Sequence, residues 1–204
     1  MVVEKLTKPS SVTHDDILIG MRSLGLPEGT TVLMHSSLSS FGYVKGGAHT
    51  VIDAVLDALG PTGTLMVPTL TFRGFAEANR CFDSRTQPSE TGLITETLRC
   101  RFDAHRSLHP LSSVAAVGAR AEEMTAWHGD TPCGPGFPYW KLREWGGYCL
   151  FAGTGFGSNS MFHVAEELVK PAYLAYDAED EVAVIDREGR ESIGAFRRYA
   201  CSRL

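Results

Sequence analysis

A chain of 204 residues with 43% hydrophobic and 21% charged content can bury a sizeable core, and it reads most simply as one domain over residues 1–204. A formal net charge of -5 gives no nucleic-acid footprint. No apolar run reaches the length that spans a bilayer, and the first residues lack the apolar stretch of a signal peptide, so a cytoplasmic location is expected. Cys81, Cys100, Cys133, Cys149 and Cys201 are odd in number, scattered and never in a CxxC pair, which argues against a disulfide framework and against a zinc site; no metal is expected.

In chain order, Thr13-His14-Asp15-Asp16 has the form of a helix N-cap with acidic residues in the first turn, followed by Ile17, Leu18, Met21 and Leu24 at helical spacing and closed by Gly25. Residues 31–35 read as a buried strand. A serine-rich loop leads to Gly46-Gly47 and to a helix with Val51, Ile52, Val55, Leu56 and Leu59 on one stripe, ended by Gly60-Pro61. An almost continuously apolar strand follows in residues 63–70, so this segment predicts a crossover unit in a sheet covered on both faces. Residues 72–87 are polar and irregular, and Pro88-Ser89 opens a helix with Leu93, Ile94, Thr97 and Leu98 inward. A short strand at 113–118 and a helix at 121–127 come next, then a loop over 129–138 with three glycines and three prolines. Residues 148–152 read as a short buried strand, and those around Arg187-Glu188-Gly189-Arg190 as a hairpin.

Chemistry concentrates after the strand at 148–152. A glycine-bearing bend, Gly153-Thr154-Gly155-Phe156-Gly157, leads into Asn159-Ser160-Met161-Phe162-His163-Val164-Ala165-Glu166-Glu167. His163 and Glu166 are three residues apart and share a helix face. A carboxylate beside an imidazole holds one tautomer and suits a general base; the same spacing also occurs as a solvated surface pair. The glycines do not match the dinucleotide fingerprint, and no Walker pattern is present. Hydroxyls in His35-Ser36-Ser37-Leu38-Ser39-Ser40 either meet a ligand at the strand's end or satisfy their own loop backbone.

Several blocks resemble the aminoglycoside 3-N-acetyltransferase family. They are Met34-His35-Ser36-Ser37-Leu38-Ser39-Ser40-Phe41-Gly42 with Gly46-Gly47-Ala48, then Leu59-Gly60-Pro61-Thr62-Gly63-Thr64-Leu65, then Phe82-Asp83-Ser84-Arg85-Thr86-Gln87-Pro88-Ser89, then Arg106-Ser107-Leu108-His109-Pro110 with Ser113-Val114, and finally residues 159–166. The resemblance is co-linear over residues 32–167. It implies an α/β fold with a three-layer-like central sheet covered by helices, distinct from the GNAT fold. It also implies an acetyl-CoA-dependent N-acyltransferase acting on a small-molecule primary amine, an aminoglycoside among the candidates, with a catalytically silent relative that binds CoA or a nucleotide as the alternative.

By the same resemblance His163 is the base and Glu166 its orienter, and attack on the thioester is direct, with backbone N–H groups holding the oxyanion. Ser36, Ser37, Leu38, Ser113 and Val114 fall where the cofactor arm is expected to run. Arg106 meets either a CoA phosphate or a structural partner. His35 either orients its loop or lines the acyl pocket, and Asp83 either contacts the amine or caps its turn. His109 is expected to be structural, and His14, His49, His105 and His128 to be surface histidines. Asp177, Glu179, Asp180 and Glu181 either face a polycationic acceptor or form a solvated loop. Many members carry a histidine where this chain has Ser112, and relatives continue beyond the hairpin. A homodimer is left open.

Overall fold

The computed structural model describes residues 11–72, 80–177 and 179–200; Cys201 lies outside them. Helix α1 (His14–Ser23) begins at Thr13, whose hydroxyl accepts the Asp16 N–H while the Asp16 carboxylate accepts the Thr13 N–H, a reciprocal cap that satisfies two orphan donors. It buries Ile17 and Met21, and Leu24, expected on the same stripe, is exposed beyond the last turn. Strand β1 (Thr31–Ser36), helix α2 (Gly47–Leu59) and strand β2 (Thr64–Pro68) form the expected crossover: β1 and β2 pair in parallel with Thr31 opposite Thr64. Every residue of β2 is buried.

Strand β3 (Cys81–Asp83) emerges from a segment read as irregular. Helix α3 (Leu93–Arg99) starts five residues after the expected Pro88, with Gly92 as its N-cap; it buries Ile94, Thr95 and Leu98 and leaves Leu93 exposed. Strand β4 (His105–Arg106), strand β5 (Val114–Gly118) and helix α4 (Ala121–Thr125) follow. Helix α5 (Pro138–Glu144) starts at the last residue of the stretch read as loop, with Pro138 in the first turn, where a missing N–H costs nothing. Strand β6 (Tyr148–Ala152), helix α6 (Phe162–Val169), strand β7 (Asp180–Ile185) and strand β8 (Glu191–Phe196) complete the order.

Five strands make a central sheet in the order β4-β5-β2-β1-β6. Because side chains alternate along each strand, Val32, Met34, Leu65, Val67, Ala115 and Val117 pack on α1, α2 and α3. Leu33, Met66, Val114 and Ala116 face the other way, onto Ala121, Met124, Tyr139, Leu142 and Val164 of α4, α5 and α6. This is the three-layer arrangement the family resemblance implied. Strand β6 is not a buried strand, however: it stands at the sheet's edge, with Tyr148 and Cys149 exposed. A second sheet, β3-β7-β8, contains the expected hairpin and adds β3 in parallel to β7, burying Phe82 against Val182 and Val184.

Parallel pairing puts the carboxyl ends of β2, β1 and β6 along one border of the central sheet, and antiparallel β5 brings its amino end there, Val114 opposite Pro68. Sites in open α/β sheets gather at such a border. Gly153, just past β6, turns the chain there with φ of 78°, and a Cβ on it would stand 2.5 Å from the Ser40 Cβ. The Ser40 hydroxyl donates to the Gly153 carbonyl at 2.7 Å, joining the serine loop to the bend. No helix among the described residues is long and apolar enough to cross a membrane.

Candidate active site

Helix α6 carries His163 and Glu166 one turn apart, and their side chains meet: His163 Nδ1 lies 2.6 Å from Glu166 Oε2. The carboxylate is mostly covered, 12% exposed, while the imidazole is 44% exposed. An imidazole donating Nδ1–H to a carboxylate has its lone pair at Nε2. The His163 ring also lines a cavity of about 660 Å³ at the border described above, together with Leu70, Ser112, Cys133, Ser160 and Tyr199. Tyr199 stacks on His163 with ring centroids 4.6 Å apart. His163 therefore lines a cavity, with the mostly covered Glu166 carboxylate behind it.

The other expected site residues divide. The Ser36 hydroxyl, at the end of β1, is buried and has no hydrogen-bond partner among the described residues. Ser37 contacts the Ser39 hydroxyl at 3.1 Å, and its N–H donates to the Ala152 carbonyl at 3.0 Å; Leu38 packs against the core from the first turn of the loop. His35 is buried, stacks on Phe151, and accepts the Ser160 N–H at Nε2 at 3.4 Å. Burial pushes its pKa down to about 4, so it is a neutral acceptor that orients the entry to α6. Neither expected role is the contact found: His35 bonds the segment before α6 and not its own serine loop, and it is not among the residues lining the cavity.

Arg106 is spent internally. Its guanidinium donates to the Ser113 hydroxyl at 3.1 Å and to the carbonyls of Ser84, Gln87 and Thr69, and it lies over the Phe82 ring. Burial, and secondarily the charge of Arg99, lowers its pKa to about 9. No fork is left for a phosphate, so Arg106 fastens β4 to the loops that flank the small sheet. Ser113 and Val114 are fully buried; the Ser113 hydroxyl donates to the Thr69 carbonyl and the Val114 N–H to the Ser107 hydroxyl. Leu111 and Ser112 reach the cavity in their place.

Asp83 is fastened by Arg85, whose backbone N–H and guanidinium donate at 2.9, 2.9 and 2.8 Å. Those bonds pull its pKa down to about 2. The carboxylate caps its turn and is not among the residues lining the cavity. Asp177 does line the cavity, but Arg198, also on that wall, already pairs with it. Glu179 pairs with Arg197 and Asp180 with Arg80, so three of the four acidic residues already hold arginines.

His128, expected at the surface, is buried: its Nδ1 contacts the Ser107 hydroxyl and its Nε2 the Pro132 carbonyl, both at 2.9 Å. Desolvation holds it neutral, and also holds the fully buried His109, whose pKa falls to about 4. Cys133 faces the cavity, yet burial pushes its thiol well above the usual range, which argues against a thiolate nucleophile. Glu167, Tyr176 and Tyr199 were not singled out from sequence, because their contacts join segments 9 and 32 residues apart. No group of three or more His, Cys, Asp and Glu side chains among the described residues is arranged to hold a metal ion.

A family model described as aminoglycoside 3-N-acetyltransferase matches residues 33–203. The chain is 35% identical over 192 residues to aminoglycoside N(3)-acetyltransferase VII of Streptomyces paromomycinus, covering 85% of this chain and 67% of that protein. It is 35% identical over 175 residues to aminoglycoside N(3)-acetyltransferase IX of Micromonospora chalcea, covering 77% and 62%. The chain thus spans about two thirds of the length of these curated relatives. The crystal structure of aminoglycoside acetyltransferase AAC(3)-Xa superposes with a TM-score of 0.83 at 36% identity, covering 95% of this chain and 74% of that one. That of AAC-IIIb in binary complex with CoASH gives 0.82 at 27% identity, covering 94% and 77%. On fold and sequence together, the chain belongs to the aminoglycoside 3-N-acetyltransferase family.

Proposed function

We propose that the protein transfers the acetyl group of acetyl-CoA to a primary amine of an aminoglycoside, with His163 as general base and Glu166 as its orienter. The observation that carries this reading is the 2.6 Å contact between His163 Nδ1 and Glu166 on the wall of a cavity of about 660 Å³. Relatives named as aminoglycoside acetyltransferases and a neighbouring structure holding CoASH support it.

Acetyl-CoA supplies an acyl group on a thiolate leaving group. An amine attacks only when unprotonated, so Nε2 of His163 takes its proton as the C–N bond forms, and can return it to the sulfur as the C–S bond breaks. Glu166 stabilises the imidazolium between those events. The residues at the border fit such a ligand: the buried Ser36 hydroxyl lacks a partner, a situation worth about 1–3 kcal/mol to a group that satisfies it. Asp177 offers a carboxylate to an acceptor ammonium, which would compete with Arg198 for it. A cytoplasmic location suits the use of acetyl-CoA.

The test is release of free thiol from acetyl-CoA in the presence of a panel of aminoglycosides and simpler amines. Acceptor-dependent release is expected; its absence with every amine, while CoA still binds by calorimetry, would assign the chain to the silent, CoA-binding alternative.

A further inference from the structure

Glu166 and Glu167 are consecutive, so their side chains leave α6 about 100° apart, and the two carboxylates have different partners. Glu166 takes the edge of the His163 ring. Glu167 is buried, and a single oxygen, Oε1, accepts from two phenols, Tyr176 and Tyr199, the latter at 2.9 Å. Tyr199 in turn covers the face of His163, with ring planes 25° apart. Backbone bonds hold the arrangement: Tyr176 and Tyr199 form a bridge, flanked by Asp177 N–H to the Arg198 carbonyl at 3.0 Å and Ala200 N–H to the Ala175 carbonyl at 2.9 Å.

Packing alone does not account for this cluster. Two phenylalanines and a leucine would fill the same space without burying a carboxylate that has no cationic partner among the described residues. A single bond at the ring edge leaves an imidazole free to rock about its Cβ–Cγ bond. A face contact removes that freedom. We propose that Tyr199, tethered through Glu167 and Tyr176, is a positioning residue for the His163 base, holding the ring so that Nε2 faces the cavity. This rests on the reading of His163 as the base.

The experiment compares Tyr199→Phe, which keeps the ring and deletes the tether, with Tyr199→Leu, which removes the face contact. Steady-state kinetics should show kcat lowered about tenfold in the first and about a hundredfold in the second, with KM for acetyl-CoA unchanged. In ¹⁵N NMR of the protein without substrates, the His163 ring nitrogens should shift in the variants as the ring rocks and its bond to Glu166 loosens, with the tautomer that Glu166 fixes retained. Wild-type kcat in a folded Tyr199→Leu protein, or unchanged His163 nitrogen shifts, overturns the proposal. Should Tyr199→Leu not fold, Tyr199→Phe decides on the same two readouts. The spectra need no turnover: if His163→Ala keeps wild-type activity the base assignment fails by itself, while the nitrogen shifts still report whether Tyr199 orients the ring.

Discussion

His163 and His128 both sit against an aromatic ring and both bond through Nδ1, yet they are built for opposite tasks. His128 is 6% exposed and its two nitrogens meet a hydroxyl and a carbonyl, which do not offset the burial that disfavours a charge. It is a strut that joins the residue just after β4 to the loop before α5. His163 has the Glu166 carboxylate at one nitrogen and partial exposure at its ring. A proton can therefore arrive and leave. Burial without a carboxylate suits a histidine to a structural role; a carboxylate behind a ring at a cavity wall suits one to the proton transfer proposed for His163.

Replacement of each histidine sharpens that contrast. His163→Ala should lower kcat by about a hundred- to ten-thousand-fold while CoA affinity by calorimetry stays unchanged. Wild-type turnover in the variant would erase the distinction. Acid should act on the struts instead. His35 and His109 titrate near 4 in the folded protein and near 6.5 when unfolded, and burial also holds His128 well below 6.5. The unfolded chain thus binds more protons below pH 6.5, and the stability these groups contribute, complete above that value, is lost as pH falls towards 4. Each adds about 1.4 kcal/mol per pH unit to the slope within that window, read from denaturant midpoints; a flat midpoint from pH 6.5 to 4.5 would contradict the neutral-strut assignment.

Smaller effects follow. His128→Ala removes one of the two partners of the Ser107 hydroxyl and the ring that meets the Pro132 carbonyl, opens a void, and should cost about 2–4 kcal/mol in urea unfolding. Were it instead to leave stability intact and abolish turnover, the roles of the two histidines would be exchanged. Asp177→Asn should raise KM for a polycationic acceptor about threefold, most clearly at low salt, since an exposed ion pair contributes about 1 kcal/mol or less. An unchanged KM at low salt would remove Asp177 from the acceptor side.

The chain order of β1, α2 and β2 was legible because period and punctuation agree there: apolar strands, a helical stripe and Gly60-Pro61 all point one way. His163 and Glu166 were legible for a similar reason, since three-residue spacing on a helix decides contact locally. Strand β6 misled because an apolar run looks alike in a sheet's centre and at its edge; nothing local says which neighbour is missing. Strand β3 is three residues long and flanked by charge, and its pairing with β7 spans about a hundred residues. Helix α5 hid in a glycine and proline loop, although Pro138 at its start was a signal that could have been read. Ser113 and Val114 lie where the sheet is covered on both faces, so both are buried and Leu111 and Ser112 line the cavity instead. Tyr176 and Tyr199 flank the β7-β8 hairpin, which brings both to Glu167, and no periodicity announces them.

The central claim is that the reacting thioester sits in the cavity walled by His163. A crystal structure of the protein with CoA bound tests it most directly. The account predicts the CoA sulfur in that cavity, with His163 Nε2 turned toward it and within reach directly or through one water. A pantetheine tail lying elsewhere on the fold, or His163 turned away from it, would contradict the account.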